Sequence, residues 1–373
     1  MLRSRNIHGD NILSTNCDEE SVRKLSKSKE LYCPNCGNVV LYKNGLKKIA
    51  HFAHRPSTEC VVSNYESETA EHLKGKQVLY SWLTSKYPTA SVELEVYISV
   101  TEQIADVLVT HQSGEFQGQR WAFEFQHSPL SEIEWRRRHS IYREANIKDF
   151  WIFDTDIFLQ YSQAQDMNEA RRFREPIKTV FDETGFTYFL DITSEQLTVD
   201  CKFYVRSIER RLSSRGGIVV KNDYTFHDPS DHTDNLNEAI FHYHSGEQFT
   251  ALYIHKVRSQ FESRFYEIIE KIENERHSLL LRKRQERFGE IISYCEEKVS
   301  EMHFHVFRTF CLSNKALVVD DLLDMEIPEF IEKYLPYVER IIHYLQEFEL
   351  IRKSDKVVDR VVTDLAPSYQ QYR

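Results

Sequence analysis

The chain has 373 residues, more than one ordinary domain holds, and 41% are apolar, enough for a buried core. A formal net charge of −10 excludes a global basic field, so contact with nucleic acid must rest on local patches. Residues 1–6 lack the apolar core of a signal peptide, and no apolar run approaches the ~20 residues that span a bilayer. These features predict a soluble cytoplasmic protein with no membrane partner. The cysteines number seven, an odd count that includes a Cys-x-x-Cys pair, which suits a reducing compartment and metal binding better than a disulfide framework.

Residues 1–30 are polar and begin with a hairpin-like piece. Cys33-Pro34-Asn35-Cys36-Gly37 follows, with the form of a zinc knuckle. A Val39-Val40-Leu41 strand and a Lys43-Asn44-Gly45 turn lead to His51-Phe52-Ala53-His54, with Cys60 soon after. Zinc takes thiolate and imidazole in a tetrahedral shell. Cys33 and Cys36 supply one pair, and the second comes from His51, His54 and Cys60. His51 and His54 point to opposite faces of a strand. His54 with Cys60 is therefore the favoured pair, with His51 as the substitute. The alternative is free thiols and packed histidines.

Residues 66–86 read as an amphipathic helix capped by Ser67, with Leu73, Val78, Leu79, Trp82 and Leu83 on its apolar face. Glu68, His72 and Lys76 are spaced four apart and form one stripe. That stripe is either a solvated face or a lining for the strands that follow. Residues 92–98, 104–109 and 121–126 read as strands, with a polar turn around Gly114 between the last two. Asp106 sits where a strand usually has another apolar residue. Glu124 and Gln126 share one face. Asp106 is either an exposed edge residue or one of two acids around a cation. Two acids on adjacent strands favour the cation, which would be Mg²⁺ or Mn²⁺.

Residues 131–145 read as a helix capped by Ser131, carrying Arg136, Arg137, Arg138 and Arg143. Such a run is a solvated face or a grip on phosphates. Residues 149–154 read as a buried strand. Residues 156–176 have helical spacing, and 187–191 and 197–201 form a strand pair. Gly216-Gly217 and Asp228-Pro229-Ser230-Asp231 mark a linker. From about residue 250 the spacing is helical, with Arg282-Lys283-Arg284 as a basic patch on a solvated face. Cys201, Cys295 and Cys311 read as core residues. The expected layout is a metal-binding segment at 1–62, a mixed domain at 63–205, a linker at 206–249 and a helical domain at 250–373.

The Cys33-Pro34-Asn35-Cys36 knuckle, His51-Phe52-Ala53-His54, Glu68/His72/Lys76, Ala105-Asp106-Val107-Leu108-Val109 and Glu124-Phe125-Gln126-His127-Ser128-Pro129 together resemble the CoiA-like competence proteins, over roughly residues 31–154. Arg138 and Tyr142 fall where that family has Arg and Tyr. The resemblance implies an α/β fold with a restriction-endonuclease-like (PD-(D/E)XK) mixed-sheet core, behind a small zinc-ribbon-like domain. It puts Asp106 and Glu124 at the two acids and Gln126 where a Lys is usual. Lys76 would supply the missing charge, and Glu68 would be an outer ligand of the cation. Arg136, Arg137, Arg138, His72 and Tyr142 would contact DNA. The implied function is a metal-dependent nuclease processing incoming single-stranded DNA for recombination during transformation. Its partners are DNA and, through the C-terminal helices, recombination or competence proteins. The alternatives are a non-catalytic recombination accessory protein and a defence nuclease.

Overall fold

Two short hairpins and a helix come first. β1 (Arg3–Arg5) pairs antiparallel with β2 (Asn11–Leu13). α1 (Glu19–Ser28) starts at Asp18, whose carboxylate accepts the Ser21 N–H. β3 (Val40–Lys43) pairs antiparallel with β4 (His51–His54). Val22, Leu31, Val40, Tyr42 and Phe52 form a small core that includes Cys33 and Cys60. The computed structural model describes residues 1–55, 60, 69–159, 170–171, 176–201, 204–211, 218–225, 232–298, 301–313, 325–350 and 354–365. The chain divides into two compact units, Met1–Ile269 and Glu270–Arg373.

α2 (Ala70–Lys86) is capped by Thr69, whose hydroxyl accepts the His72 N–H at 3.0 Å. The expected cap Ser67 and the candidate Glu68 lie outside the described residues. Leu73, Leu79, Trp82 and Leu83 are buried against Val107, Val109, Phe123 and Phe125. Each such side chain contributes roughly 1.5–3 kcal/mol on burial. Gly75 allows this close approach, because a Cβ there would meet the Phe125 ring at 2.2 Å.

β5 (Ser91–Ile98), β6 (Gln103–Thr110) and β7 (Arg120–Gln126) form an antiparallel meander. α3 (Glu132–Glu144), capped by Ser131, crosses to β8 (Lys148–Asp154), which runs parallel to β7. α4 (Thr155–Phe158), β9 (Ala170–Arg171) and α5 (Ile177–Thr184) lead to β10 (Thr187–Asp191), parallel to β8. β11 (Gln196–Asp200) is antiparallel to β10. Of the span 156–176, expected to be helical, residues 160–169 and 172–175 lie outside the described residues.

Residues 204–253 carry strands where a linker was expected. β12 (Tyr204–Arg211), β13 (Ile218–Thr225) and β9 make a three-stranded antiparallel sheet. β14 (Thr233–Asn235) pairs with β11 and completes a seven-stranded mixed sheet of order β14-β11-β10-β8-β7-β6-β5. β15 (Ile240–His244) and β16 (Phe249–Tyr253) form a hairpin that sends Phe241, Leu252 and Tyr253 into the main core. Glycine and Asp-Pro signals punctuate turns between strands as readily as linkers. Gly216, Gly217 and the Asp228-Pro229-Ser230-Asp231 run themselves lie outside the described residues.

Side chains alternate along β8, so the two faces of the sheet are distinct. Phe150 and Ile152 join the core that contains α2. Trp151 and Phe153 pack on the other face with Trp135 of α3 and Val180 of α5. α6 (Arg258–Lys298) begins in the first unit, where Phe261, Phe265 and Ile269 enter the main core. Helix thus starts at 258 rather than 250. In the second unit, α7 (Glu301–Ser313), α8 (Ile327–Glu347) and α9 (Asp355–Leu365) pack through Phe307, Phe310, Phe330, Ile341 and Val362. Cys201 and Cys311 are buried, and the Cys295 side chain lies outside the described residues. Among the described residues no helix is long and apolar enough to cross a membrane.

Candidate functional site

The Cys-x-x-Cys turn is closed by two backbone bonds. Cys33 N–H donates to Asn38 O at 2.7 Å, and Gly37 N–H donates to Cys33 O at 2.9 Å. Gly37 has a φ of 71°, which favours glycine. Pairing β3 with β4 brings His54 to this turn. The ligand atoms of Cys33, Cys36, His54 and Cys60 all lie within 4.8 Å of one another, and Cys36 Sγ is 3.3 Å from His54 Nε2. A tetrahedral zinc shell spaces its donors roughly 3.5–3.8 Å apart, so the four fit one ion. His51 is turned elsewhere, with Nδ1 2.9 Å from Ile49 O. Burial pushes the Cys33 thiol up to about 12, so losing its proton requires a nearby cation.

The acid site lies where two strands part. The β6–β7 ladder runs from Thr110–Arg120 to Val107–Phe123 and stops there. One residue further on, Asp106 turns its carboxylate to the Phe125 N–H, which donates to Oδ2 at 2.9 Å. His72 Nε2 lies 3.2 Å from the same oxygen, and Lys76 Nζ lies 3.9 Å from Oδ1. Burial alone would raise the Asp106 pKa. His72, Lys76 and the Phe125 N–H outweigh it and hold the carboxyl below the usual range.

Glu124 is buried on the α3 side. Tyr142 donates its hydroxyl to Oε1 at 2.5 Å, and the Arg138 guanidinium is 2.8 Å from Oε2. Burial pushes the Glu124 carboxyl up to about 7 against the pull of Arg138, and the Asp106 charge adds to the rise. The two acids therefore feel one another. Arg138 is fixed in turn by Gln103 Oε1 at 3.1 Å and by the Trp151 ring at 4.7 Å.

Lys76 is 2% exposed and donates to Glu95 Oε1 at 2.6 Å. Glu95 has a φ of 52°, unusual for a residue with a side chain. Its Oε2 accepts the Leu2 and Arg3 N–H groups at 2.7 and 3.2 Å. Sequence reasoning misses Glu95, because Glu93-Leu94-Glu95 reads as an ordinary half-exposed strand. It also misses a pair at the ends of β7 and β8. His127 Nδ1 lies 2.7 Å from Asp154 Oδ2, and its Nε2 is 3.8 Å from Glu71. Gln126 donates from Nε2 to Ser128 O at 2.5 Å and to Ser128 Oγ at 3.2 Å.

The residues expected to touch DNA divide into two sets. Arg136 and Arg137 are exposed, Arg136 pairing with Glu132 and Glu183 and Arg137 with Glu134. Tyr142 has no exposed surface and serves Glu124, which corrects its reading as a DNA contact. Arg138 serves the same acid, and His72 serves Asp106.

An ionised carboxylate offers about four lone-pair sites. The described donors to Asp106, His72 and the Phe125 N–H, meet Oδ2, with Lys76 3.9 Å from Oδ1, and each Glu124 oxygen has a donor within 3 Å. Both acids retain acceptor capacity, which a hard, oxygen-seeking cation could use.

A family model described as "Competence protein CoiA, nuclease-like domain" matches residues 68–228, and one described as "Competence protein CoiA, N-terminal domain" matches residues 14–63. The chain belongs to the CoiA family. The N-terminal match contains the Cys/His cluster, and the nuclease-like match contains both acids. The "Competence protein CoiA" of Bacillus subtilis (strain 168) is 33% identical over 126 residues, covering 34% of this chain. The matched part spans 32% of that relative's length. No solved structure matches the chain.

Proposed function

We propose that this chain is a metal-dependent deoxyribonuclease of the PD-(D/E)XK type, processing incoming single-stranded DNA for recombination during transformation. The observation that carries the reading is the β6–β7 register, which sets Asp106 opposite Glu124 one step beyond the last ladder pair, Val107–Phe123. Asp106 and Glu124 would hold Mg²⁺ or Mn²⁺, with Glu68 as an outer ligand. A bound ion would polarise the phosphate and acidify a water. His72 Nε2 holds Asp106 Oδ2, so Oδ1 would be the oxygen available to an ion. Lys76 Nζ, fixed by Glu95, offsets negative charge on the phosphate and stands in for the usual Lys. With Nε2 tied to Ser128, Gln126 presents Oε1 to orient the attacking water. Zn²⁺ at Cys33, Cys36, His54 and Cys60 has a structural role. The second unit is the surface for recombination or competence proteins.

A second reading keeps the fold and drops the chemistry, leaving a DNA-binding accessory protein. Gln126 in place of a Lys and the double hold on Glu124 by Arg138 and Tyr142 favour it. The test is incubation of the purified chain with linear and circular, single- and double-stranded DNA, with Mg²⁺ or Mn²⁺. Metal-dependent cleavage of single strands supports the nuclease, and binding without cleavage under any metal supports the accessory protein.

A further inference from the structure

Residues 44–50, joining β3 to β4, read Asn44-Gly45-Leu46-Lys47-Lys48-Ile49-Ala50. Both flanks of this loop are anchored. Ile49 packs against the main core, and Asn44 O accepts from Arg23 at 3.5 Å. Lys48 is among the charges acting on the Glu71 carboxylate, which sits below its ordinary range mainly through a backbone hydrogen bond. Glu71 immediately precedes His72, which reaches Asp106 at 3.2 Å. The loop thus packs, through Ile49, on the core that α2 shares with β6 and β7, the strands that carry the two acids.

Its tip faces solvent. Lys43, Gly45, Leu46 and Lys47 are exposed, and the relative exposure of Leu46 is 108%. A leucine held fully in water between lysines adds nothing to the core of the chain that carries it. The charge balance points the same way. Residues 1–62 hold ten Lys and Arg against six Asp and Glu, so this module is basic in a chain of net charge −10. A polyanion approaching Asp106 is repelled by most of the chain and drawn to this module.

We propose that the 44–50 loop is a guide for single-stranded nucleic acid. Lys43 and Lys47 pair with backbone phosphates, and Leu46 packs on the face of an unstacked base, leading the strand toward Asp106. A single strand is favoured over a duplex because only unstacked bases offer a face to an apolar side chain. The destination rests on the nuclease reading, whereas the binding does not.

The test is titration of a fluorescent 30-nucleotide oligo(dT) with the full chain, without added divalent ion, between about 50 and 200 mM NaCl, where phosphate contacts give a steep salt dependence. Removing two phosphate contacts with K43Q/K47Q flattens the log–log salt slope by about 1.4. Leu46→Ser lowers single-strand affinity about fivefold, the low end of what packing on a base contributes, and leaves the slope and duplex affinity unchanged. These tip residues are exposed, so the melting temperatures of the variants match the parent. Wild-type affinity and slope in both variants would overturn the proposal, as would failure of the parent chain to bind the strand. Binding only to an acidic protein surface would overturn it too. Loop-dependent binding without cleavage under any metal would remove the nuclease reading and leave the guide standing.

Discussion

The Cys33–Cys36–His54–Cys60 cluster and the Asp106–Glu124 pair both gather potential metal ligands, but on opposite principles. In the cluster, four donors from three backbone segments face one another across less than 4.8 Å. In the pair, the carboxylates already face protein donors: His72 and the Phe125 N–H for Asp106, Tyr142 and Arg138 for Glu124. The small N-terminal core includes Cys33 and Cys60, so an ion there would hold a module that has little else to fold around. The acids stand on a seven-stranded sheet with a large core and a charge balance of their own. Removing metal should therefore dismantle the first region and only silence the second.

The largest effect is expected at the cluster. Cys33→Ser should abolish binding of about one zinc per chain and unfold the N-terminal module, since structural zinc contributes on the order of 10 kcal/mol to such folds. Elemental analysis and thermal melting of the parent and variant check this. A parent chain that purifies folded and free of metal would end the contrast from that side.

At Glu124 the expected cost is smaller and of a different kind. Glu124→Ala leaves Arg138 buried beside a cavity and should destabilise by about 3–5 kcal/mol, as breaking a buried pair does. Glu124→Gln keeps one acceptor oxygen for Arg138 and can donate its amide to the Tyr142 hydroxyl, so it should melt closer to the parent while losing cleavage as fully as the alanine variant. Equal melting of the two variants would show that Arg138 does not depend on this acid.

The approach of α2 to the sheet sets a third effect. Gly75→Ala should cost about 1–3 kcal/mol through overpacking against Phe125. It should also lower cleavage, because His72 and Lys76 flank Gly75 on the same helix. Urea unfolding beside a rate measurement separates the two losses.

A further effect is a pH dependence within the sheet, seen only as a slope. His111 is 4% exposed among Tyr87, Phe116 and Trp121, and burial pushes its imidazole down to about 4. The unfolded chain binds this proton near pH 6.5 and the folded chain near 4. Stability from this group is complete above about 6.5 and falls as pH drops toward 4. Melting of His111→Phe between pH 4 and 7 should lose that component of the slope.

What the sequence makes legible follows from the range of each interaction. The Cys-x-x-Cys turn is local, and the β3–β4 hairpin returns His54 to it 18 residues after Cys36, so the cluster can be read from spacing. Apolar alternation gives the order α2, β5, β6, β7, α3, β8, because each element buries a face of its own. Glu95 could not be read that way. Its role depends on a left-handed backbone and on the amides of Leu2 and Arg3, more than ninety positions away. His127 and Asp154 meet only because β7 and β8 run parallel. Tyr142 serves Glu124 only because the sheet beneath α3 carries that acid, a pairing that no spacing within the Arg-rich helix reveals. The strands at 204–253 are not legible in the sequence because β12 and β13 carry many polar residues and little apolar alternation.

The most direct test of the central claim is cleavage of single-stranded DNA by Asp106→Ala and the parent with Mg²⁺ or Mn²⁺, with melting temperature and zinc content measured on the same samples. Loss of one carboxylate from a two-acid metal site predicts a rate at least about 10³-fold lower, from several kcal/mol of lost charge stabilisation, with zinc retained and DNA still bound. A folded, zinc-loaded Asp106→Ala chain that cuts as fast as the parent would contradict the account.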